Sequence, residues 1–101
     1  MVYKLLVPGP IDDVEQVRLL EWHVDPGETC EVGQLVVELE THKALVEVRA
    51  EQQAVLRPIL AESGAWVAVG TPMALLSDSA DEALPESLDA LADLPLAFEV
   101  N

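Results

Sequence analysis

Lys43 is one of only two lysines in the sequence, the other being Lys4, and it stands between His42 and Ala44 where two alternating runs meet. An ε-amine at the apex of a tight turn can enter a modifying enzyme's active site without anything unfolding. On spacing alone, a solvated turn lysine is the commoner explanation of such a residue. His23, His42 and Cys30 are residue types that can ligate a metal, but the hairpin argued below puts His42 at its tip, so no metal site is expected. The serines have no histidine–acid constellation around them. The acids are numerous, yet none form an identifiable pair facing a cleft. No catalytic group is expected.

The elements that would hold Lys43 can be read from the period of its flanks. Val37, Leu39, Val46 and Val48 alternate with Glu38, Glu40, Glu47 and Arg49, the pattern of half-buried strands. With the turn at His42-Lys43, Thr41 pairs with Ala44, Leu39 with Val46 and Val37 with Val48. Every inward pair is then apolar, and a slip of one residue would destroy the match. On the outer face Glu38 opposes Glu47, a like-charge pair, and Arg49 is expected diagonally across from Glu38 to offset it.

A twofold repeat surrounds this hairpin. Residues 17–40 align on 54–77 at a constant offset of 37. Gly27 and Gly33 fall on Gly64 and Gly70, Trp22 on Ile59, and Cys30 on Val67. Each copy reads as a strand, a glycine turn, a short strand, a second glycine turn and a longer strand. The match to Val67 suggests that Cys30 is a buried, inert thiol. The same offset carries Lys43 to Ala80, where the second copy ends. Lys43 should therefore lie at the end of the domain opposite the C-terminal exit.

Composition sets the outer limits. A chain of 101 residues, half of them hydrophobic, can form one modest core without disulfides. No apolar run is long enough to span a membrane. Met1-Val2-Tyr3-Lys4 lacks the apolar stretch of a secretory signal, and with a single cysteine this makes a cytoplasmic location the expectation. The formal net charge is −14, half of it in the stretch from Asp78 onward, which has seven acids and no base. Such a surface repels nucleic acid and anionic membranes and favours basic docking partners, although simple solubility explains it too.

The run Glu40-Thr41-His42-Lys43-Ala44-Leu45-Val46-Glu47-Val48 resembles the attachment hairpin of lipoyl domains, which belong to the biotinyl/lipoyl attachment family. Gly27, Gly33, Gly64, Gly70 and Trp22 stand at the family's spacings from the lysine. Val7-Pro8-Gly9-Pro10-Ile11-Asp12-Asp13-Val14-Glu15 resembles its first strand end and surface loop. The resemblance covers residues 1–78 and implies an all-β flattened barrel-sandwich of two four-stranded antiparallel sheets. It implies a non-catalytic acyl carrier, the lipoyl domain of a 2-oxo acid dehydrogenase acyltransferase, with lipoate joined to Lys43 by an amide. A lipoate ligase or a lipoyl/octanoyl transferase would attach it. The swinging arm would then serve a 2-oxo acid decarboxylase, an acyltransferase and dihydrolipoamide dehydrogenase. The isolated domain would be a monomer. Biotinyl domains share the fold, but methionines flank their lysine, whereas His42 and Ala44 flank it here; Glu40 also matches the lipoyl version. An unmodified sandwich used only for protein contacts is a further alternative.

Three departures from the family stand out: His42 for the usual aspartate, Arg49 for a common proline and Ala54 for a common glycine. If Ala54 keeps that glycine's positive φ, Ala54→Gly should stabilise the fold. The tail, residues 79–101, is expected to be an acidic linker, disordered or weakly helical. Leu84, Leu88 and Leu91 have helical spacing, Ser87 is a candidate cap, and Pro95 is a stop. Removing this tail should leave the sandwich intact.

Overall fold

The computed structural model describes residues 1–101. It contains ten strands and no helix: β1 Val2–Leu6, β2 Gln16–Trp22, β3 Thr29–Cys30, β4 Leu35–Glu40, β5 Leu45–Ala50, β6 Ala54–Ile59, β7 Trp66–Ala68, β8 Pro72–Ser77, β9 Ala92–Asp93 and β10 Leu96–Val100. They form two five-stranded sheets, ordered β3-β6-β8-β1-β9 and β10-β5-β4-β2-β7. Alternation along the strands turns Leu5, Leu19, Leu39, Val46, Val48, Leu56 and Leu76 inward, where each is fully buried between the sheets. The β4–β5 register is the expected one, with Val37 opposite Val48, Glu38 opposite Glu47 and Leu39 opposite Val46. A bulge between Leu35 and Val37 leaves both Val36 and Val37 buried.

The repeat is visible bond by bond. The Gly27 amide donates to the Leu56 carbonyl at 2.7 Å, and its counterpart Gly64 donates to Leu19 at 2.7 Å. Leu56 donates to Glu28 at 2.9 Å, and Leu19 to Ala65 at 2.8 Å. Each copy's glycine turn is thus held by the other copy's strand, so neither copy is a separable unit. Gly27 and Gly64 share a φ of 93°, and open space surrounds the position of a Cβ at both. Backbone conformation, and not room for a side chain, is what requires glycine there. Cys30 is buried as expected. Burial, with Glu28 and Glu31 adding negative charge, pushes its thiol pKa up to about 11, so little thiolate forms at neutral pH.

The tail departs from expectation. β9 runs parallel to β1, with Tyr3 opposite Ala92 and Lys4 opposite Asp93, and β10 runs antiparallel to β5, from Leu96 opposite Ala50 to Val100 opposite Val46. Without these strands β1 and β5 would each be the edge of a four-stranded sheet with unpaired backbone groups. Between β9 and β10 the chain crosses from one sheet to the other, and Leu94 enters the core with 3% exposure. The Leu94 amide donates to Lys4 at 2.9 Å, and Pro95, which has no N–H to offer, accepts from Glu51 at 3.1 Å. Around Ser87 there is only a turn: its hydroxyl accepts from the Asp89 amide, and Leu91 donates to Leu88. Four acids in residues 79–91 leave a helix there too little apolar surface to bury.

Two other departures concern Arg49 and Ala54. Arg49 does not reach Glu38; its guanidinium lies 3.9 Å from Glu47 and donates to the Gly33 carbonyl at 3.1 Å. Glu38 is hydrogen-bonded instead by the His23 ring, which reaches across from beyond β2. By strand alternation the Arg49 amide faces β10, opposite Ala97, so the proline common in the family would remove a ladder donor from this edge. The other departure is Ala54, which lies within β6 opposite Cys30 and is buried. Asp13 is the one non-glycine residue with positive φ.

Ala54→Gly should destabilise the protein by about 1 kcal/mol, read as a lowered denaturant midpoint, because glycine loses more chain entropy in an extended strand. A raised midpoint would contradict the ordinary strand geometry. Leu94→Ala should cost about 2 kcal/mol by opening a core cavity, and truncation after Asp78 should lower Tm by ~10 °C or more. An unchanged melting temperature after truncation would show that the tail does not hold the sandwich.

Candidate functional site

The tip that carries Lys43 is built around a side chain rather than by backbone alone. Thr41 closes the hairpin with a 2.8 Å bond from its amide to the Ala44 carbonyl. Its hydroxyl oxygen accepts from the Lys43 amide at 3.1 Å and from the Ala44 amide at 3.0 Å. Threonine at this position offers the turn a local acceptor in place of a longer loop. The Thr41 side chain is buried while His42 and Lys43 are exposed. The tip is therefore short and pinned from beneath, and the lysine projects from it. Thr41 was not among the site residues expected from sequence, although a threonine two residues before the lysine is the signal that could have marked it.

No acidic group or hydrogen-bond acceptor engages the Lys43 ε-amine. Lys4 differs: its side chain is partly buried and its amine lies 3.8 Å from the Asp93 carboxylate. Of the expected flanking residues, Glu40 turns away to Arg18 at 3.3 Å, across the β2–β4 pair. Ala44 is half-buried, and His42 is free at the surface. His42 borders a shallow depression with Asp13, Glu15 and Gln16, from the end of the first loop into β2. An aspartate at position 42 would add another carboxylate to that acidic rim, whereas histidine does not.

The loop between β1 and β2 flanks the tip. Gly9 approaches the second copy so closely that a Cβ would stand 2.3 Å from Val69 Cγ1, which makes this glycine a matter of space. Beyond it, Ile11 and Val14 close a tight turn through a 3.1 Å bond from the Val14 amide to the Ile11 carbonyl. The expected opposition of Lys43 and the chain exit holds only at Asp78, whose amide donates to Met1 at 3.1 Å in the place corresponding to the Thr41–Ala44 bond. There the Met1 amine lies within 2.9 Å of both Asp78 and Glu82; hydrogen bonds with these carboxylates raise the pKa of the amine and lower theirs. From that end the tail returns, and the Asn101 amide donates to Leu45 at 2.9 Å, beside the lysine tip.

The three residues weighed as metal ligands do not come together: Cys30 is in the core, His42 is at the tip and His23 is on the outer sheet face. His23 instead meets Glu38 and Glu21. Glu21, Glu38, Glu47 and Glu99 stand directly opposite one another in sequence across β2, β4, β5 and β10. Like charges so arranged cost stability, which His23 and Arg49 partly offset.

An exposed, unpaired amine on a pinned hairpin can accept an acyl group as an amide and present it away from the fold. Comparisons with known proteins bear on the family of the chain. A family model described as "Biotin-requiring enzyme" matches residues 4–76. The dihydrolipoyllysine-residue succinyltransferase component of the 2-oxoglutarate dehydrogenase complex from Bacillus subtilis is 34% identical over 79 residues, covering 78% of this chain and 19% of that protein. The corresponding component from Staphylococcus saprophyticus is 35% identical, over 71% of this chain and 17% of its own length. The dihydrolipoyllysine-residue acetyltransferase component of the mitochondrial pyruvate dehydrogenase complex from Neurospora crassa is 43% identical over 56 residues, 54% of this chain and 12% of that protein. The chain thus corresponds to under a fifth of these relatives' length, and with its family-model match, sandwich fold and tip hairpin it belongs to the biotin/lipoyl attachment family.

Proposed function

We propose that the protein is a lipoyl carrier in which Lys43 takes lipoate through an amide and serves a 2-oxo acid dehydrogenase complex. The observation that carries this reading is the exposed, unpaired Lys43 amine at the apex of a hairpin pinned by Thr41. Lipoate bound there would supply a dithiolane able to accept an acyl group and pass it on. The chain's own contribution is presentation. The Thr41 bonds fix the backbone from which the arm departs, and the interlocked copies hold that hairpin at one end of the sandwich. Tethering raises the arm's concentration at each partner site. His42 and Ala44, where biotinyl domains carry methionines, favour lipoate over biotin, as do the dihydrolipoyllysine names of the relatives. The partners in this reading are a lipoate ligase or lipoyl/octanoyl transferase, a decarboxylase, an acyltransferase and dihydrolipoamide dehydrogenase.

Lys43 should be the sole acceptor. Incubated with a lipoate ligase, the protein should gain one lipoyl group by intact mass, and Lys43→Arg should gain none, since a guanidinium is a very poor nucleophile at neutral pH. Labelling of Lys4, or a Lys43→Arg protein that labels fully, would contradict the assignment. A biotin shift in cells, or no shift at all, would favour the other two readings.

His42 should matter at the partner rather than at attachment. His42→Asp should leave the extent of lipoylation unchanged, because solvent screens charges at an exposed turn. A decarboxylase whose own carrier has aspartate at the corresponding position should acylate His42→Asp faster than the unaltered protein, since the tip's charge governs encounter. Equal rates would contradict a recognition role for His42.

A further inference from the structure

β10 does more than cover an edge, because its inward face extends past the core. Leu96, Phe98 and Val100 stand opposite Ala50, Val48 and Val46, all three of them buried, so the two sets share the inner face of the sheet. Yet Phe98 is 36% exposed and Val100 is 48% exposed. These are inward-facing apolar side chains that nothing in the chain fully covers. Val100 closes one side of a recess of about 420 Å³, whose other walls include Pro10, Ile11 and Val14 of the first loop and Ala44 of the tip. Lys43 stands on its rim.

We infer that this recess is a retention site for the apolar end of the group carried on Lys43, with Val100 as the wall that the tail supplies. The inference rests on the carrier reading above. Its occupant is fixed by connection: an arm joined to Lys43 begins at the recess, and the amide that joins it has no charge to keep it in water. The lining is mostly apolar, with Asp12 and Thr41 also on it, which suits a hydrocarbon chain ending in a neutral sulfur ring. A tether of this kind gives the arm's end a local concentration on the order of millimolar. An intrinsic dissociation constant in that range therefore holds the arm down for about half of the time and releases it readily to a partner. Retention shields the ring between visits and slows delivery by only about twofold.

The test uses lipoamide as a free probe, so that it does not depend on attachment. Methyl-resolved NMR of the unmodified full chain titrated with lipoamide should show saturable shifts at Ile11, Val14 and Val100. Val100→Asp should weaken that binding by about fivefold. Val32→Asp, at a valine 67% exposed in the turn before β4, should leave it unchanged. In the lipoylated protein the same methyls should show nuclear Overhauser contacts to the arm. No saturable shifts, shifts centred on Phe98 instead, or shifts indifferent to Val100→Asp would overturn the retention site. Failure of Lys43 to accept lipoate would overturn the carrier reading and the retention of an arm with it, even if lipoamide still bound the recess, whereas attachment without shifts would overturn the retention site alone.

Discussion

The amides of Gly27 and Gly64 each donate to a strand of the other copy, to Leu56 and to Leu19, and the rest of the fold hangs on this exchange. Because both turns need a φ near 93°, the exchange depends on two residues that carry no side chain. It has a mechanical consequence. A hairpin on one copy cannot tilt without disturbing the turn that the other copy supplies, so the tip inherits the rigidity of the whole sandwich. Thr41 adds the local part, satisfying the amides of Lys43 and Ala44 that a two-residue turn would otherwise leave to water.

The same pseudo-symmetry creates a weakness that the tail answers. β1 and β5 occupy corresponding places, and each would end a sheet with an open row of donors and acceptors. One acidic segment covers both, crossing between the sheets at Leu94, and its course brings Asn101 back to the end that carries Lys43. The acidity expected to keep this segment solvated is compatible with its docking, because Asp93 meets Lys4 and Glu99 faces outward opposite Glu47. Stability and the shape of the tip are thereby linked through one short stretch of chain.

The hairpin was legible in the sequence because its strands alternate cleanly and only one register pairs Leu39 with Val46. The repeat was legible because four glycines recur at one spacing. The tail was not. Leu96, Phe98 and Val100 alternate with Ala97 and Glu99, a strand signal, but Leu84, Leu88 and Leu91 carry a competing helical spacing in the same tail. A strand that only covers an edge also has one wet face and a short apolar pattern, so its signal is weak. Ala54 shows the opposite difficulty: likeness to a glycine-bearing family suggested a turn conformation, whereas burial opposite Cys30 makes it an ordinary strand residue. The partner of Glu38 was hidden because His23 lies outside the alternating run and reaches it only through the β2–β4 pairing.

Peptide-level mass spectrometry of the chain isolated from its native cells is the most direct measurement. A lipoyl amide on Lys43, with Lys4 unmodified, is the expected result. A biotinyl amide on Lys43, or an unmodified Lys43 in cells whose other lipoyl proteins carry lipoate, would contradict it.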